Sequence, residues 1–215
     1  MITAVFDLDR TLLPGTTAER IFLRYLIRRR VIGAGAAGKT IRYAMKSGLT
    51  DAVQQIRAER PYLSGVHDAT LRLHGRRCAL TEILPALSQR GIDFVLWHQD
   101  RGHRIVLLSG SLPYVVEPLA WRLGINDVIC SRMHVESQRL TGRLSGLHPY
   151  GEAKASLMIE YGQTHDVDFD LSYCYADHHT DETLLNLFGH PVCVNPSDTL
   201  ERIAQTNGWR IEMFD

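Results

Sequence analysis

The sequence predicts an α/β protein, a parallel sheet with helices on both faces, carrying an all-helical insertion. Three observations lead there. From residue 102 onward, short apolar runs alternate with segments of helical spacing, the pattern of strand–helix–strand units around a parallel sheet. A run of the same character, Ile2-Thr3-Ala4-Val5-Phe6, opens the chain. Roughly 90 residues separate it from the next such run, far more than a loop in a compact domain spans. Residues 16 to 80 read as nearly all helix, so the expected division is a core of residues 1–14 and 81–215 with a helical cap of residues 15–80.

Taken in order, the first run stops at Asp7 against turn residues and reads as a buried strand. Pro14-Gly15-Thr16-Thr17 is a turn in which Thr16 or Thr17 caps a helix over residues 18–31, with Ile21, Phe22, Tyr25, Leu26 and Ile27 near helical spacing. Gly33, Gly35 and Gly38 end it. Further helices are expected over residues 39–46, from the Thr50-Asp51 cap to Pro61, over 63–77, and over 80–101 with breaks near Pro85 and Gly91. Strands follow at 102–108, 128–130, 171–175, 191–194 and 209–213. Helices are expected at 113–123, 150–161, 182–188 and 198–207. Residues 132–135 and 139–143 are placed to pair as a hairpin around Ser137-Gln138.

Charge and composition exclude more than they assign. Twenty-four basic residues balance 24 acidic ones, so net charge points to no partner. Distribution says more: residues 20–46 hold eight basic side chains and no acidic one. Such a stretch is usually a solvated helix face, but it could meet an anionic membrane or a phosphorylated lipid headgroup, with Phe22, Tyr25 and Leu26 toward the acyl region. Beyond that charge nothing supports nucleic-acid binding. Cys78, Cys130, Cys174 and Cys193 show no paired spacing and sit mostly in apolar runs, which argues for buried thiols and a reducing, cytoplasmic setting. The chain opens on a strand without a signal-like region, and no apolar run reaches membrane-spanning length.

The chemistry gathers at strand ends. Asp7 and Asp9 close the first strand, Ser109-Gly110-Ser111 closes the second, and Asp177 and Asp181 follow the strand at 171–175, with Lys154 between the last two. In an open parallel sheet, ligands bind outside the carboxyl ends of the strands. Four clustered aspartates cannot all stay ionised without a cation, and oxygen donors with no His or Cys cluster suit Mg²⁺. A small hydroxyl, the N–H groups of Gly110 and Ser111, and a lysine make a cradle for phosphate. A carboxylate such as Asp7 can attack phosphorus, and Asp9 can move the protons.

Taken together, Asp7-Leu8-Asp9-Arg10-Thr11, Ser109, Lys154 and the Asp177/Asp181 pair resemble the four motifs of the haloacid dehalogenase (HAD) superfamily, in order and on the expected elements. Ser109-Gly110-Ser111 is similar to the Ser-Gly-Gly of its phosphoserine-phosphatase-like branch, and the insertion stands at the C1 cap position. The resemblance implies a Rossmann-like core and a Mg²⁺-dependent phosphatase for a small phosphomonoester. It implies Asp7 as nucleophile and metal ligand, and Asp9 as acid/base whose carbonyl also reaches the metal. Thr11 would orient the loop, Ser109 and Lys154 would hold the phosphoryl group, and Asp177 and Asp181 would bind Mg²⁺. A second carboxylate at Asp9 favours phosphate chemistry over dehalogenation.

Two departures matter. His178 and His179 stand where the fourth motif usually has small residues, and are expected as rim residues. Glu19 lies about three residues away from the position where phosphoserine phosphatases read the substrate amine, so that specificity does not carry over. Phosphorylated amino acids, alcohols and lipid headgroups all remain open as substrates, as do oligomeric state, a phosphotransferase variant and a binding protein that has lost turnover. His98, His103, His134, His148 and His165 are scattered and expected to be surface or structural. The stretch from Gly35 to Thr40 ends like a phosphate-binding loop but lacks its first glycine and its preceding strand.

Overall fold

The computed structural model describes residues 1–33, 35, 59–125 and 127–214. Strands β1 (Thr3–Asp7), β2 (Arg104–Ser109) and β3 (Asp127–Cys130) lie in one sheet, with β4 (Arg132–Glu136) and β5 (Arg139–Ser145) forming a separate hairpin. The sheet continues through β6 (Tyr173–Ala176), β7 (His190–Val194) and β8 (Arg210–Glu212). Its order is β3-β2-β1-β6-β7-β8, with every neighbouring pair parallel. The chain leaves β1 toward β2 on one side and later returns to place β6 on the other. The carboxyl end of β1 is therefore the topological switch point, where such sheets bind ligands.

Alternation along the strands builds two cores. Ala4, Phe6, Ile105, Leu107, Tyr175, Val192 and Val194 face one side; Val5, Val106, Leu108, Cys174, Ala176 and Cys193 face the other. Side chains on a strand alternate in this way, and strands buried on both faces read as near-continuous apolar runs. The first face is covered by α1 (Ala18–Arg28), α2 (Asp68–Cys78), α3 (Gln89–Asp100) and α4 (Pro113–Arg122). The second is covered by α5 (Glu152–His165), α6 (Glu182–Leu185) and α7 (Asp198–Asn207). Phe6 stacks on Tyr175 with centroids 4.3 Å apart at the middle of the first core. Burying a side chain of that size is worth roughly 1.5–3 kcal/mol.

The insertion is welded to this core. Ile21, Phe22, Tyr25 and Leu26 of α1 join the first cluster, and α2 approaches α4 so closely that a Cβ on Gly75 would stand 2.4 Å from the Tyr114 carbonyl oxygen. Thr17 caps α1 by accepting from the Arg20 N–H at 3.2 Å. The apolar face of α1 is thus spent inside the protein. Phe22, Tyr25 and Leu26, expected to face acyl chains if the basic segment met a membrane, are buried and cannot; Arg24, Arg28, Arg29 and Arg30 form the exposed side.

Other expectations shift at their edges. The helix expected over 80–101 is interrupted: α2 runs into one wide turn (Ala79–Ile83) and a tight turn (Leu84–Ala86), then Ser88 caps α3 through the Gly91 N–H. Pro85 has no N–H to continue the ladder, which explains the break. Ser137 and Gln138 take positive φ of 46° and 64° in the two-residue hairpin turn, as a turn matched to strand twist requires. The helices expected over 39–46 and after Thr50-Asp51 lie outside the described residues, as do Lys39, Arg42 and Lys46 of the basic stretch. All four cysteines are free and buried. No helix among the described residues is long and apolar enough to cross a membrane.

Candidate active site

Asp7 is the last residue of β1, in register with Leu108 of β2. It shares strand parity with Thr3 and Val5, so it projects toward the face covered by α5. Gly151, at φ 56°, turns the chain into that helix, and Lys154 in its first turn meets Asp7. The Lys154 Nζ lies 3.2 Å from Asp7 Oδ1 and donates to Asp181 Oδ2 at 2.7 Å. Asp177 follows β6, and Asp181 ends a single tight turn that His178 caps from its ring nitrogen. Oxygens of Asp7, Asp177 and Asp181 all lie within 4.8 Å of one another, and all three residues are buried.

This group is over-supplied with negative charge. Burial pushes the Asp7 carboxyl well above the usual carboxylate range, opposed by Lys154 and reinforced by Asp181, Asp9 and Asp177. Burial likewise lifts Asp177 to about 6, with Arg10 and Lys154 pulling it back. Desolvation pulls Lys154 down, but Asp7 and Asp181 more than offset it, so the ammonium stays charged. Arg10, held at φ 65° in the turn after β1, sets its guanidinium 3.3 Å from Asp177. Three buried carboxylates with oxygens this close are the donor set a small hard cation takes, and they fit Mg²⁺.

Asp9 lines the same cavity as Asp7 but is held by its own set of partners. The strand ends at Asp7, so the two-residue period does not carry over, and the loop folds back with Arg10 N–H bonded to Leu13 O and Leu13 N–H to Leu8 O. The Asp9 carboxylate accepts from the Ala18 N–H at 2.6 Å, from Ser111 Oγ at 2.7 Å, and more weakly from Ser109 Oγ at 3.4 Å. The Ser111 N–H, expected in the phosphate cradle, donates instead to Ser109 Oγ at 3.0 Å. Thr11 is fully buried, and its hydroxyl has no hydrogen-bond partner among the described residues.

Above these residues opens a cavity of about 350 Å³. Its floor is Asp7, Asp9, Lys154, Asp177 and Asp181, with Gly110 and Ser111 at one side. The opposite wall was not legible as a site in the sequence. Glu19 of α1 is paired with Arg60, and Tyr62 donates to Glu19 Oε1 at 2.5 Å. Arg60 is pinned in turn by its backbone N–H, which donates to Gly142 O of β5 at 2.7 Å. His148 and Tyr150 complete the wall. His148, expected as a surface or structural histidine, therefore borders the cavity. His178 stands at its rim while His179 is exposed. Only the spacing of Glu19 after Asp9 hinted at any of this.

Comparison with known proteins agrees with the geometry. Residues 4–186 match the haloacid dehalogenase-like hydrolase family. The chain is 26% identical to a probable phosphatase of Mycobacterium tuberculosis over 216 residues, covering 98% of this chain and 75% of that one. It is 26% identical to a histidinol-phosphatase of Neisseria meningitidis serogroup C, covering 98% of both. A Bordetella pertussis Tohama I protein of unknown function shares the fold with a TM-score of 0.80 at 24% identity, covering 98% of both chains. A substrate-bound phosphoserine phosphatase does so with a TM-score of 0.67 at 16% identity, covering 100% of this chain and 94% of that one. By the extent of the family match, and with its strand-end residues in the family's order, the chain belongs to the haloacid dehalogenase-like hydrolases.

Proposed function

We propose that the protein hydrolyses a small phosphomonoester through an aspartyl-phosphate on Asp7. The observation that carries this reading is the convergence of Asp7, Lys154, Asp177 and Asp181 at the switch point of the sheet, beneath an open cavity. Phosphatases among the relatives support the same substrate class.

In the first half-reaction an Asp7 carboxylate oxygen attacks phosphorus and the bond to the ester oxygen breaks. Asp9, held in one orientation by Ala18 and Ser111, gives its proton to the departing alkoxide. In the second half-reaction Asp9 takes a proton from water, the water oxygen bonds to phosphorus, and the bond to Asp7 breaks to release inorganic phosphate. Lys154 faces the nucleophile throughout and offsets charge on the phosphoryl oxygens, where such electrostatic contacts do most of the catalytic work. The carboxylates of Asp7, Asp177 and Asp181, with the Asp9 carbonyl, would hold Mg²⁺, which when bound neutralises charge on the nucleophile and the phosphoryl group. Residues 15–80 act in this reading as the cap that carries Glu19 and Arg60 over the cavity.

The test is direct. Asp7→Asn removes the nucleophile while keeping its shape, and Mg²⁺-supported hydrolysis of an aryl phosphate should fall by about 10⁴-fold or more with an unchanged circular-dichroism spectrum. Substantial residual turnover would reject the assignment.

A further inference from the structure

We infer that His148 is a specificity-determining residue: a neutral imidazole presenting an acceptor to an N–H or O–H donor on the alcohol portion of the substrate. This rests on the phosphatase reading above and extends it to a substrate class, a phosphomonoester whose alcohol carries a hydroxyl or ammonium group close to the ester oxygen.

The tautomer follows from the partners. Ser131 Oγ donates to Gly110 O at 2.7 Å, and a carbonyl can only accept, so the one hydroxyl proton of Ser131 is committed. The same Oγ lies 2.7 Å from His148 Nδ1. For that contact to be a hydrogen bond, Nδ1 must carry the proton, and Nε2 must carry the lone pair. Nε2 has no hydrogen-bond partner among the described residues. A Cβ on Gly110 would stand 3.1 Å from His148 Cε1 and 3.6 Å from Nε2, so this edge of the ring lies against Gly110, and both residues line the cavity. Tyr150 runs parallel to the ring at 6.2 Å between centroids, and Pro149 between them is buried.

The electrostatics keep the ring in this form. Burial, then the positive charges of Arg60 and Lys154, pull His148 down to about 4. A lone pair at this place repels phosphoryl or carboxylate oxygens and attracts a donor. Glu19, an anionic acceptor of the wall, has its Oε1 engaged by Arg60 and Tyr62. His148 adds a neutral acceptor beside Gly110.

The experiment compares kcat/KM for two near-isosteric probes with Mg²⁺ present, 2-aminoethyl phosphate and n-propyl phosphate, with 2-hydroxyethyl phosphate as a second donor-bearing probe. Wild type should prefer the donor-bearing esters, and His148→Phe should shrink that preference about tenfold, the worth of one hydrogen bond to a desolvated site. His148→Gln, whose amide oxygen can accept, should retain part of it and keeps the test decisive should His148→Phe not fold. A preference untouched by both variants, equal losses on all three probes, or no wild-type preference would overturn the inference. Absence of wild-type hydrolysis of every ester, aryl phosphate included, would instead remove the phosphatase reading itself.

Discussion

The floor of the cavity and its opposite wall are made from different kinds of chain. Floor residues sit on or directly after strands of one sheet, or in the first turn of a helix docked on it: Asp7, Lys154, Asp177 and Asp181, each buried and each bonded or close to the others. Wall residues come from separate segments, with Glu19 on a helix, Arg60 on the returning arm of the insertion, and His148 after the hairpin. Glu19, Arg60 and Tyr62 are tied to each other and to Gly142 of β5, and His148 to Ser131, which donates to Gly110 O. A floor held by the sheet keeps one chemistry in place, while a wall assembled from loops and insertions can change its side chains without disturbing that chemistry. Floor substitutions should therefore injure every substrate alike, and wall substitutions should discriminate among substrates.

The largest effect should come from Lys154→Met. It removes the one ammonium inside the carboxylate group and leaves Asp7 and Asp181 buried without their partner. Turnover of all phosphate esters should fall by about 10²–10³-fold, the usual cost of deleting a charge-stabilising donor. Without divalent cation, chemical unfolding should also show lower stability, because Asp181 loses its buried ammonium donor. A variant that lost activity against some esters only would break the distinction between floor and wall.

Next in size is the coupling of Mg²⁺ to pH. Asp7 and Asp177 both titrate above their ordinary value, Asp177 at about 6, so in the folded protein without metal they keep protons that the unfolded chain has released. The sign follows: their contribution favours folding at low pH and is lost as pH rises through the folded values. A cation reverses this by binding the ionised pair. The difference in Tm between Mg²⁺ and EDTA samples should be near zero at pH 4.5 and grow as pH rises past 6. Saturating Mg²⁺ at a hundredfold over its Kd gives about 2.7 kcal/mol. Asp177→Asn should flatten this rise; an unchanged rise would mean the cation binds elsewhere.

The same contrast explains what could be read from the sequence. Asp7, Ser109, Lys154, Asp177 and Asp181 were legible because each follows an apolar run or opens a helix, and topology alone carries such ends to one edge of a parallel sheet. The sheet itself was legible for the same reason, strand by strand, with errors only at element ends. Arg60 and His148 were not. Arg60 reaches the cavity because its N–H pairs with Gly142, 82 residues on, and His148 because Ser131 and Gly110 hold its ring. Those are tertiary hydrogen bonds between loops, which no local period announces. The way Asp9 is held was hidden likewise, since its partners Ala18 and Ser111 lie 9 and 102 residues away.

Arg60→Met should give the smallest and most selective effect. The side chain is buried and anchors Glu19. Its loss frees Glu19, which Tyr62 still holds by one hydrogen bond, and turns that side of the wall from paired charges into a lone carboxylate beside an apolar side chain. Esters bearing an ammonium group should then gain or keep affinity, while esters bearing a second anionic group should lose it, KM shifting about tenfold in opposite directions. Turnover of a plain aryl phosphate at saturation should change far less than in Lys154→Met. If kcat fell equally for all three, Arg60 would belong with the floor, and the cavity would be one catalytic unit with no separate surface for choosing its substrate.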